Sequence, residues 1–512
     1  MSPCLPSESP MTDSTSQPKS AAFWHKTVST LSIEGRALID GKLVEAKSGK
    51  QFDAISPVDG RLIASVASCD EADVDAAVAA ARRAFDDGRW KSKPPAERKA
   101  ILQRFAELLR AHSDELATLV TLEMGKPISV SVAGDVNGTA RCFGWYAESI
   151  DKIYDEIAPT GERDLAMITR EPLGVVAAVV PWNFPLVTAA WKCGPALAMG
   201  NSVVLKPAEQ SPLSAIRLGQ IALEAGIPEG VLNVVPGYGH TAGKALACHM
   251  DVDGIFFTGS TATGRLLMEY SAKSNLKKVG LELGGKSPNI ILSSYSDIET
   301  AASTAANTMF ANQGEVCIAP SRLIVERSVL DQVKEVIAAR AADWQPSDPF
   351  DPETRMGALV DMKHANRVMD YVQRGADEGA TLVTGGHRAR EETGGAYVAP
   401  TVFADVTNDM TIASEEIFGP VLSVIAVDNA EGAVAVANDS PYGLAASVWS
   451  DDLSEAHLVA KSLRAGIVYV NCYDACDMTT PFGGYKQSGN GRDKSLHALN
   501  EYSELKTTWV RL

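Results

Sequence analysis

The order of apolar and polar positions alternates between two kinds of segment from about residue 38 onwards. Residues 71–85 (EADVDAAVAAARRAF) place apolar side chains at helical spacing and begin with acidic residues, which the helix dipole favours. Residues 174–180 (GVVAAVV) instead form an unbroken apolar run that ends at Pro181, which is typical of a parallel strand buried on both faces. This alternation predicts an α/β protein.

Short apolar runs recur along the chain and predict two successive series of strand and helix units. In the first series, further strands are predicted at residues 202–205, 232–235 and 254–257, a layout typical of nucleotide-binding domains. In the second series, strands are predicted at residues 289–292, 322–325, 421–426 and 466–470. We expect the change of domain near Gly284 and Gly285.

The pattern also predicts where the domains begin and end. Residues 1–30 are rich in Ser, Pro and Thr, lack the apolar region of a signal peptide, and are predicted to be a disordered tail. The first domain is predicted to comprise residues 31–150 and 171–284, and the second residues 285–490. Residues 151–170 are polar and strand-like, and they have no core of their own.

Composition narrows the classes of partner. The 512 residues include 47 Lys and Arg against 64 Asp and Glu, and the net charge of −17 argues against nucleic acid as a partner. No apolar run approaches the roughly 20 residues of a membrane-spanning helix, so we expect no membrane span. The eight cysteines and eight histidines are scattered without metal-ligand spacing, which predicts no metal site and a reducing, cytoplasmic location.

A phosphate-binding turn is predicted at residues 259–264 (GSTATG), between the strand GIFFT and the helix that follows it. A glycine turn that leads into a helix presents free N–H groups to a pyrophosphate, which makes Gly259 and Ser260 candidate ligands. The pattern differs from the usual GxGxxG dinucleotide fingerprint. A tight turn between strand and helix, without a ligand, explains the segment as well.

Lys206 and Glu209 follow the predicted strand VVLK. The carboxyl ends of parallel strands are where open α/β sheets bind ligands, and a carboxylate there accepts hydrogen bonds from ribose hydroxyls. It would also repel an added 2′-phosphate. The alternative is a solvated pair of charges in a loop.

Three side chains with catalytic chemistry stand beside glycine or proline turns. Cys317 follows a polar stretch, NQGEV, that suits a reactive thiol, although a cysteine buried for packing is the alternative. Glu282 ends the apolar strand KVGLE, where burial would raise its pKa towards that of a general base; it could instead cap the glycine turn. Asn183 lies between Pro181 and Pro185. Its side-chain amide could donate a hydrogen bond to an oxyanion, or it could be the hydrogen-bonding residue of a rigid turn.

Seven blocks now stand in a recognisable order: PWNFP, KPAE, FTGST, ELGGKSPN, NQGEVC, EEIFGP and PFGGYKQSGNGR. From about residue 38 to residue 512 the chain resembles the NAD(P)-dependent aldehyde dehydrogenase superfamily. The resemblance implies a Rossmann-like cofactor domain, an α/β catalytic domain, and a small β oligomerisation flap made of residues 151–170 and 491–512. It also implies a homodimer or homotetramer.

The resemblance implies roles for the candidate residues. Cys317 would be the nucleophile, Glu282 the general base, and Asn183 with the Cys317 backbone N–H the oxyanion hole. NAD, with NADP as a weaker alternative, would be bound by Trp182, Lys206, Glu209, Gly259, Ser260, Glu416 and Phe418. Members that transfer the acyl group to coenzyme A lack the glutamate, so its presence argues for hydrolysis to a free acid.

The C-terminal stretch from residue 477 resembles the branch that oxidises γ-glutamyl-γ-aminobutyraldehyde, 4-guanidinobutyraldehyde and other ω-amino aldehydes of polyamine and arginine breakdown. Asp135 and Asp477 would pair with a remote cationic nitrogen of such a substrate. Phe184 and Trp191 would line the tunnel for its alkyl chain. The chain departs from the branch at Gly138, where a second acidic residue is expected.

Other functions fit the same residues. The chain could be a general aliphatic or betaine aldehyde dehydrogenase, with the acidic loop merely solvated. A catalytically silent member would serve as a binding protein, although the retention of Cys317, Glu282 and Asn183 argues against it. A thioesterase or esterase that uses only Cys317 and Glu282 would turn over esters without a cofactor.

Overall fold

The fold is described by a computed structural model over residues 19–512. A disordered tail was predicted for residues 1–30. Residues 1–18 lie outside the described residues, and the prediction is wrong for residues 21–30. Residues Ala21–Thr30 form a helix, with the Ser20 hydroxyl accepting a hydrogen bond from the Phe23 N–H at 3.4 Å. Trp24 of this helix is buried in the core. One large apolar anchor stabilises the helix, and composition averaged over the segment hides it.

Helices and strands alternate along most of the described chain, and no helix in it is both long enough and apolar enough to cross a membrane. The α-helices are α1 Ala21–Thr30, α2 Glu71–Asp86, α3 Pro95–Ala111, α4 Ser113–Met124, α5 Ile128–Val130, α6 Asn137–Ser149, α7 Pro185–Met199, α8 Leu213–Ala225, α9 Lys244–Cys248, α10 Thr261–Lys273, α11 Ile298–Phe310, α12 Leu330–Ala342, α13 Met362–Asp377, α14 Thr411–Ser414, α15 Ala430–Asn438 and α16 Leu453–Ser462. The strands are β1 Ala37–Ile39, β2 Lys42–Val44, β3 Gln51–Ile55, β4 Leu62–Ala67, β5 Glu156–Ala158, β6 Asp164–Pro172, β7 Val175–Val179, β8 Ser202–Lys206, β9 Leu232–Val234, β10 Gly254–Thr258, β11 Lys278–Glu282, β12 Pro288–Ile291, β13 Arg322–Glu326, β14 Thr381–Thr384, β15 Arg388–Ala389, β16 Tyr397–Val398, β17 Thr401–Ala404, β18 Val421–Val427, β19 Ala445–Trp449, β20 Ile467–Val470 and β21 Ser503–Arg511.

The first sheet has a parallel core in the order β11-β10-β7-β8-β9, extended by the antiparallel strands β1 and β2. Every residue of β7 is buried, and its side chains alternate between two helical layers. Val175 and Ala177 pack in the cluster that contains the apolar face of α2. Val176 and Ala178 pack in the cluster that contains α7 and α8. The predicted α/β architecture is confirmed.

The order of strands reverses beside β7. Strands β8 and β9 follow it on one side, whereas the chain then returns to place β10 and β11 on the other. In open α/β sheets such a reversal leaves a crevice at the carboxyl ends of the two strands, because their connections diverge. The carboxyl ends of β7 and β10 therefore mark the place where a ligand fits.

The second sheet begins at β12, after the first sheet ends with β11. Its parallel strands run in the order β17-β18-β13-β12-β19-β20, with β14 antiparallel at one edge. The four strands predicted for this series are confirmed as β12, β13, β18 and β20, but β17 and β19 were missed. The strand β19 has the sequence AASVW, and a pair of alanines carries little of the β-branched signal on which strand prediction depends.

A separate three-stranded sheet is built from both predicted flap segments. The strand β6 pairs with β21 over nine residues, from Ser503 opposite Pro172 to Arg511 opposite Asp164, and β5 pairs with the other edge of β6. The C-terminal segment is shorter than the predicted 491–512. Ala498, Leu499 and Tyr502, just before this strand, pack instead in a core cluster of the first sheet, where the Tyr502 ring lies 4.1 Å from the Phe256 ring.

Candidate active site

A cavity of about 430 Å³ lies at the carboxyl ends of β7, β10 and β11, with residues of the second sheet's loops on its other side. Its position is the crevice expected from the reversal of strand order. The predicted site residues that line it are Trp182, Asn183, Phe184, Trp191, Gly259, Ser260, Glu282, Cys317, Glu416 and Phe418. Segments that are more than two hundred residues apart in the chain thus meet at one cavity.

Three successive residues in the left-handed conformation bring Cys317 to the cavity wall. After α11 ends, Asn312, Gln313 and Gly314 have φ values of 48°, 57° and 71°. A β-carbon at Gly314 would clash with the carbonyl oxygen of Gly419, so the turn requires glycine at that position. The sharp turn stops the helix and directs the next residues into the cavity.

The surroundings of Cys317 raise the pKa of its thiol. Burial raises the pKa of the thiol, and the nearby carboxyl groups of Glu416, Glu282 and Asp474 raise it further. Because the thiolate is the reactive form of cysteine, a base has to remove the proton before the sulfur can attack a substrate.

Asn183 is fixed close to Cys317 by a backbone carbonyl. The Asn183 side-chain amide is buried and donates a hydrogen bond to the carbonyl oxygen of Glu315 at 2.9 Å. The Asn312 amide donates to the same oxygen at 3.1 Å. A side-chain amide carries two N–H groups, so the bond to Glu315 orients Asn183 and leaves a second donor for an oxygen in the cavity.

Glu282 ends β11 as a buried carboxyl group, and only 3% of the residue is exposed. Neither of its carboxyl oxygens has a hydrogen-bond partner among residues 19–512. Burial raises the pKa of Glu282 well above its ordinary value, and the neighbouring Asp493 carboxyl group raises it further. A carboxyl group with a raised pKa and no partner is suited to accept a proton near neutral pH.

A buried ion pair that the sequence did not indicate adjoins Glu282. Lys192, on α7, donates to both carboxylate oxygens of Asp493 at 2.9 and 2.6 Å, and both side chains are buried. The charges act on Glu282 in opposite directions, since Asp493 raises its pKa and Lys192 lowers it. The two residues are 301 positions apart, so no local pattern could have paired them.

The start of α10 borders the cavity. The Ser260 hydroxyl accepts a hydrogen bond from the Thr263 N–H at 3.3 Å and so caps the helix. A β-carbon at Gly259 would clash with the Phe257 ring, which explains the glycine at this turn. The N–H groups at the start of a helix suit an anion. No group of three or more His, Cys, Asp or Glu side chains in residues 19–512 is arranged to hold a metal ion.

Lys206 and Glu209 lie at the carboxyl end of β8, next to β7, rather than among the residues that line the cavity. Lys206 Nζ donates to the Pro207 carbonyl oxygen at 2.8 Å and is 4.0 Å from a carboxylate oxygen of Glu209. Burial lowers the pKa of Lys206 to about 8. The Glu209 side chain is 36% exposed, so its charge is available to a ligand that approaches from solvent.

Trp182 and Phe418 form an aromatic wall of the cavity. Their ring centroids are 5.3 Å apart in an edge-to-face arrangement, and the ring of His364 lies 5.5 Å from Trp182. Glu416 lies beside them, where its carboxylate accepts a hydrogen bond from the Gly285 N–H at 3.1 Å and burial raises its pKa to about 7. Sequence reasoning missed His364, which has no distinctive flanking residues.

The predicted role of Asp135 at the mouth of the tunnel is wrong. Asp135 is fully buried and forms an ion pair of 2.5 Å with Lys126, which is also fully buried. Lys126 Nζ in turn lies 3.7 Å from the centroid of the Phe184 ring. The Asp135 carboxylate is therefore paired with Lys126, outside the residues that line the cavity. The pair packs against Phe184 and does not contact a substrate.

The predicted role of Asp477 in binding the substrate is also wrong. Its side chain is exposed, does not line the cavity, and accepts hydrogen bonds from the Thr479 N–H at 2.8 Å and the Thr479 hydroxyl at 2.5 Å. The carboxylate turns back towards its own loop because these donors are only two residues away. Asp474, in the same loop, is the aspartate that lines the cavity.

Four cationic residues of the cavity wall, Lys363 and Arg367 among them, were missed. Arg141 and Lys494 line it, together with Gly134 and Gly138. Residues 134, 138 and 141 are spaced as one face of a helix, and glycines at two of these positions leave the space that the cavity occupies. That spacing was available in the sequence as a signal for the wall.

The fold is α/β, and its cavity is lined by the Cys317 thiol, the Asn183 amide and the Glu282 carboxyl group. The profile of the "Aldehyde dehydrogenase family" matches residues 43–508, and the chain belongs to this family. Two curated relatives are similar over nearly their full lengths. "NADP/NAD-dependent aldehyde dehydrogenase PuuC" of Escherichia coli is 50% identical over 491 residues, which cover 96% of this chain and 98% of the relative. "Aminoacetaldehyde dehydrogenase" of Pseudomonas aeruginosa is 50% identical over 482 residues, which cover 94% and 96%.

Solved structures agree with this assignment. The indole-3-acetaldehyde dehydrogenase AldA of P. syringae, in complex with NAD⁺ and IAA, matches with a TM-score of 0.96 and 58% identity, covering 96% of this chain and all of that one. The gamma-glutamyl-gamma-aminobutyraldehyde dehydrogenase of Burkholderia cenocepacia matches with a TM-score of 0.95 and 57% identity, with the same coverage.

Proposed function

We propose that the chain oxidises an aldehyde to a carboxylic acid with NAD⁺ as the hydride acceptor and releases the acid by hydrolysis. One observation carries the proposal: the thiol of Cys317, the amide of Asn183 and the unpartnered carboxyl group of Glu282 line the same cavity as the start of α10. These are the groups that covalent catalysis, oxyanion stabilisation and activation of water require.

NAD⁺ fits the crevice beside α10. The N–H groups that follow Gly259 and the Ser260 cap would hold the pyrophosphate, because a helix start favours negative charge. Lys206 and Glu209 would bind the adenosine ribose at the end of the neighbouring strand. The partly exposed Glu209 carboxylate repels an added 2′-phosphate, so we expect NAD⁺ to be preferred and NADP⁺ to be used more weakly.

Glu416, Phe418 and Trp182 would hold the nicotinamide riboside, since all three line the cavity near Cys317. The bound nicotinamide supplies the chemistry of hydride acceptance. The Trp182 and Phe418 rings give this part of the cavity an apolar surface, and the Glu416 carboxylate offers an acceptor to ribose hydroxyls.

The reaction begins when the Cys317 thiol passes its proton to solvent and the sulfur forms a bond with the aldehyde carbon, whose C=O π bond breaks as its electron pair moves to the oxygen. The negative charge that develops on the aldehyde oxygen is held by the second Asn183 N–H and by the Cys317 backbone N–H. Such donors contribute about 10²–10³ each in rate. The bond between Asn183 and the Glu315 carbonyl keeps the donor in place before the substrate arrives.

After hydride transfer, a thioester joins the substrate to Cys317. Glu282 then removes a proton from a water molecule, whose oxygen attacks the thioester carbon and releases the acid and the free thiol. The raised pKa of Glu282 makes it a stronger base than an ordinary glutamate, and the adjacent Lys192 and Asp493 pair adjusts that pKa.

The proposed substrates are ω-amino, γ-glutamylamino or guanidino aldehydes of polyamine and arginine breakdown. The 50% identity with PuuC and with the aminoacetaldehyde dehydrogenase, and the 57% identity with the gamma-glutamyl-gamma-aminobutyraldehyde dehydrogenase, support this class. The apolar wall formed by Phe184, Trp191 and Phe482 suits an alkyl chain. We further propose a cytoplasmic homodimer or homotetramer that associates through the sheet of β5, β6 and β21.

The test is the rate of NADH formation with a panel of aldehydes, measured for the wild type and for Cys317→Ala. We expect NADH and one equivalent of acid per aldehyde from the wild type, and neither from the variant. Hydrolysis of esters by a wild type that forms no NADH from any aldehyde would instead identify an esterase. Binding of NAD⁺ without turnover of any aldehyde or ester would identify a silent binding protein.

A further inference from the structure

The oxyanion donor Asn183 stands immediately before the first turn of α7, and that turn provides little to fix itself in place. Phe184 occupies the N-cap position, where its phenyl ring offers no acceptor to the free N–H groups of the helix start. Pro185, the first residue of the helix, has no N–H group. The direction of the Asn183 amide therefore depends on contacts that reach the first turn of α7 from other elements.

Asp135 supplies an acceptor to this turn. Its carboxylate accepts a hydrogen bond from the Val187 N–H, in the first turn of α7, at 3.4 Å. The residue lies on a π-helical turn, Ser131–Val136, after which the Asn137 N–H bonds to the Val132 carbonyl oxygen. A negative charge at a helix start is also favoured by the helix dipole. Asp135 thus caps α7 from outside.

Lys126 completes the support. Its Nζ donates to the other carboxylate oxygen of Asp135 at 2.5 Å and lies 3.7 Å from the centroid of the Phe184 ring. Both charged side chains are fully buried. A desolvated ammonium group is attracted to the face of an aromatic ring. The pair therefore contacts the residue directly after Asn183 as well as the helix turn that follows it.

The same lysine adjoins the residue that anchors the Asn183 amide. The backbone carbonyl oxygen of Glu315 accepts the hydrogen bond from Asn183, and the Glu315 side chain is fully buried. Burial lowers the pKa of Lys126, whereas the carboxyl groups of Asp135 and Glu315 raise it. Lys126 thus acts on both segments that fix Asn183: the start of α7 and the turn before Cys317.

We propose that Lys126 and Asp135 are positioning residues for the oxyanion donor: they hold the first turn of α7 so that the second N–H of Asn183 faces the aldehyde oxygen. This proposal rests on the proposed function and deepens it. A buried ion pair is often no more stabilising than apolar residues of similar size, so stability alone is a weak reason for this one. Positioning is a stronger reason, because moving a catalytic group by about 1 Å can cost about 10²-fold in rate.

The test uses a double variant, Lys126→Met with Asp135→Leu, which removes both charges and leaves neither unpaired. We expect it to melt near the temperature of the wild type, whereas Lys126→Met alone should melt at a lower temperature. At saturating aldehyde and NAD⁺, the burst of NADH from the double variant should be slower by about tenfold to a hundredfold, with unchanged affinity for NAD⁺. Asp135→Asn, which keeps the size of the side chain, should also slow the burst. A burst at the wild-type rate in these variants would show a purely structural pair and overturn the proposal.

A double-mutant cycle shows whether the pair acts through Asn183. In an Asn183→Ala background, the same double substitution should slow the burst by no more than about twofold, because the donor that the pair holds is already absent. If the double substitution slows the burst equally with and without Asn183, the pair does not act through the oxyanion donor and the proposal is overturned.

Lys277→Met is the matched control. Lys277 is another buried lysine, whose Nζ donates to the Ala247 carbonyl oxygen at 2.6 Å, and it is not among the residues that line the cavity. Its loss should lower the melting temperature and leave the burst rate unchanged. A wild type that forms no NADH from any aldehyde would overturn the proposed function itself, whereas a normal burst in the Lys126 and Asp135 variants would overturn only the positioning role.

Discussion

The reacting end and the cofactor end of the cavity are built in different ways. At the reacting end, Cys317, Asn183 and Glu282 present single side-chain groups, of which Asn183 and Glu282 are buried and Cys317 is half-buried. Burial is the largest cause of the pKa shifts of Cys317 and Glu282. At the cofactor end, Gly259 lies next to the backbone N–H groups at the start of α10, and the Glu209 carboxylate is partly exposed. Burial magnifies electrostatic effects, whereas solvent and salt weaken them. Substitutions should therefore remove a chemical step at the first end and only shift affinity at the second.

The largest effect is expected for Cys317→Ala. Loss of the sulfur removes the covalent intermediate, so steady-state turnover should fall by about 10⁴-fold or more. Affinity for NAD⁺, measured by calorimetry, should stay close to that of the wild type. Cys248→Ala, a change at a partly exposed cysteine of α9, serves as the control and should remain active. Retained turnover in Cys317→Ala would show that a substitution at the reacting end does not remove a chemical step.

Glu282→Gln should separate hydride transfer from hydrolysis. Steady-state turnover should fall by about 10²–10⁴, while a single rapid burst of NADH per active site remains, because the acyl-enzyme forms but water is not activated. Stopped-flow measurement of NADH gives both quantities.

The same group sets an expected pH dependence. Glu282 is a base only when deprotonated, and burial raises its pKa, so wild-type hydrolysis should increase with pH up to a value well above that of an ordinary glutamate. This limb of the profile should be absent from Glu282→Gln. An unchanged profile in the variant would mean that another group activates the water.

Asn183→Ala is expected to slow the burst of NADH by about 10²–10³, because an oxyanion donor is lost. Asn312→Gly is a matched control, since Asn312 donates to the same Glu315 carbonyl and glycine keeps its left-handed backbone. If the two variants slow the burst equally, the role of Asn183 is to hold the turn and not to stabilise the oxyanion.

The smallest effect is expected at the cofactor end. Glu209→Gln should raise the ratio of kcat/KM with NADP⁺ to that with NAD⁺ by about tenfold at low salt, and by less at high salt, because a single partly exposed charge is screened. Turnover with saturating NAD⁺ should change little. A wild type that prefers NADP⁺ would refute the proposal that the Glu209 carboxylate repels the 2′-phosphate.

Local sequence was a good guide wherever the flanking residues constrain the backbone. The glycine turn before Cys317 and the prolines around Asn183 are short-range features, and the structure brings both side chains to the cavity. The same reasoning failed for Asp135 and Asp477. An acidic residue near a site offers no indication of which donor will satisfy it, and in this protein a buried lysine and a threonine of the same loop do so.

The sequence by itself determined the two series of strands and helices and the candidate reactive groups, because the period of apolar residues and the chemistry of turns are local properties. The tertiary structure alone decided which charges meet. Lys192 reaches Asp493 across 301 residues, and Arg141 reaches the cavity that Lys494 borders. The pKa of a buried group and the charge that a cavity offers to a ligand depend on distances between segments remote in the chain, and only the packing of the two domains sets those distances.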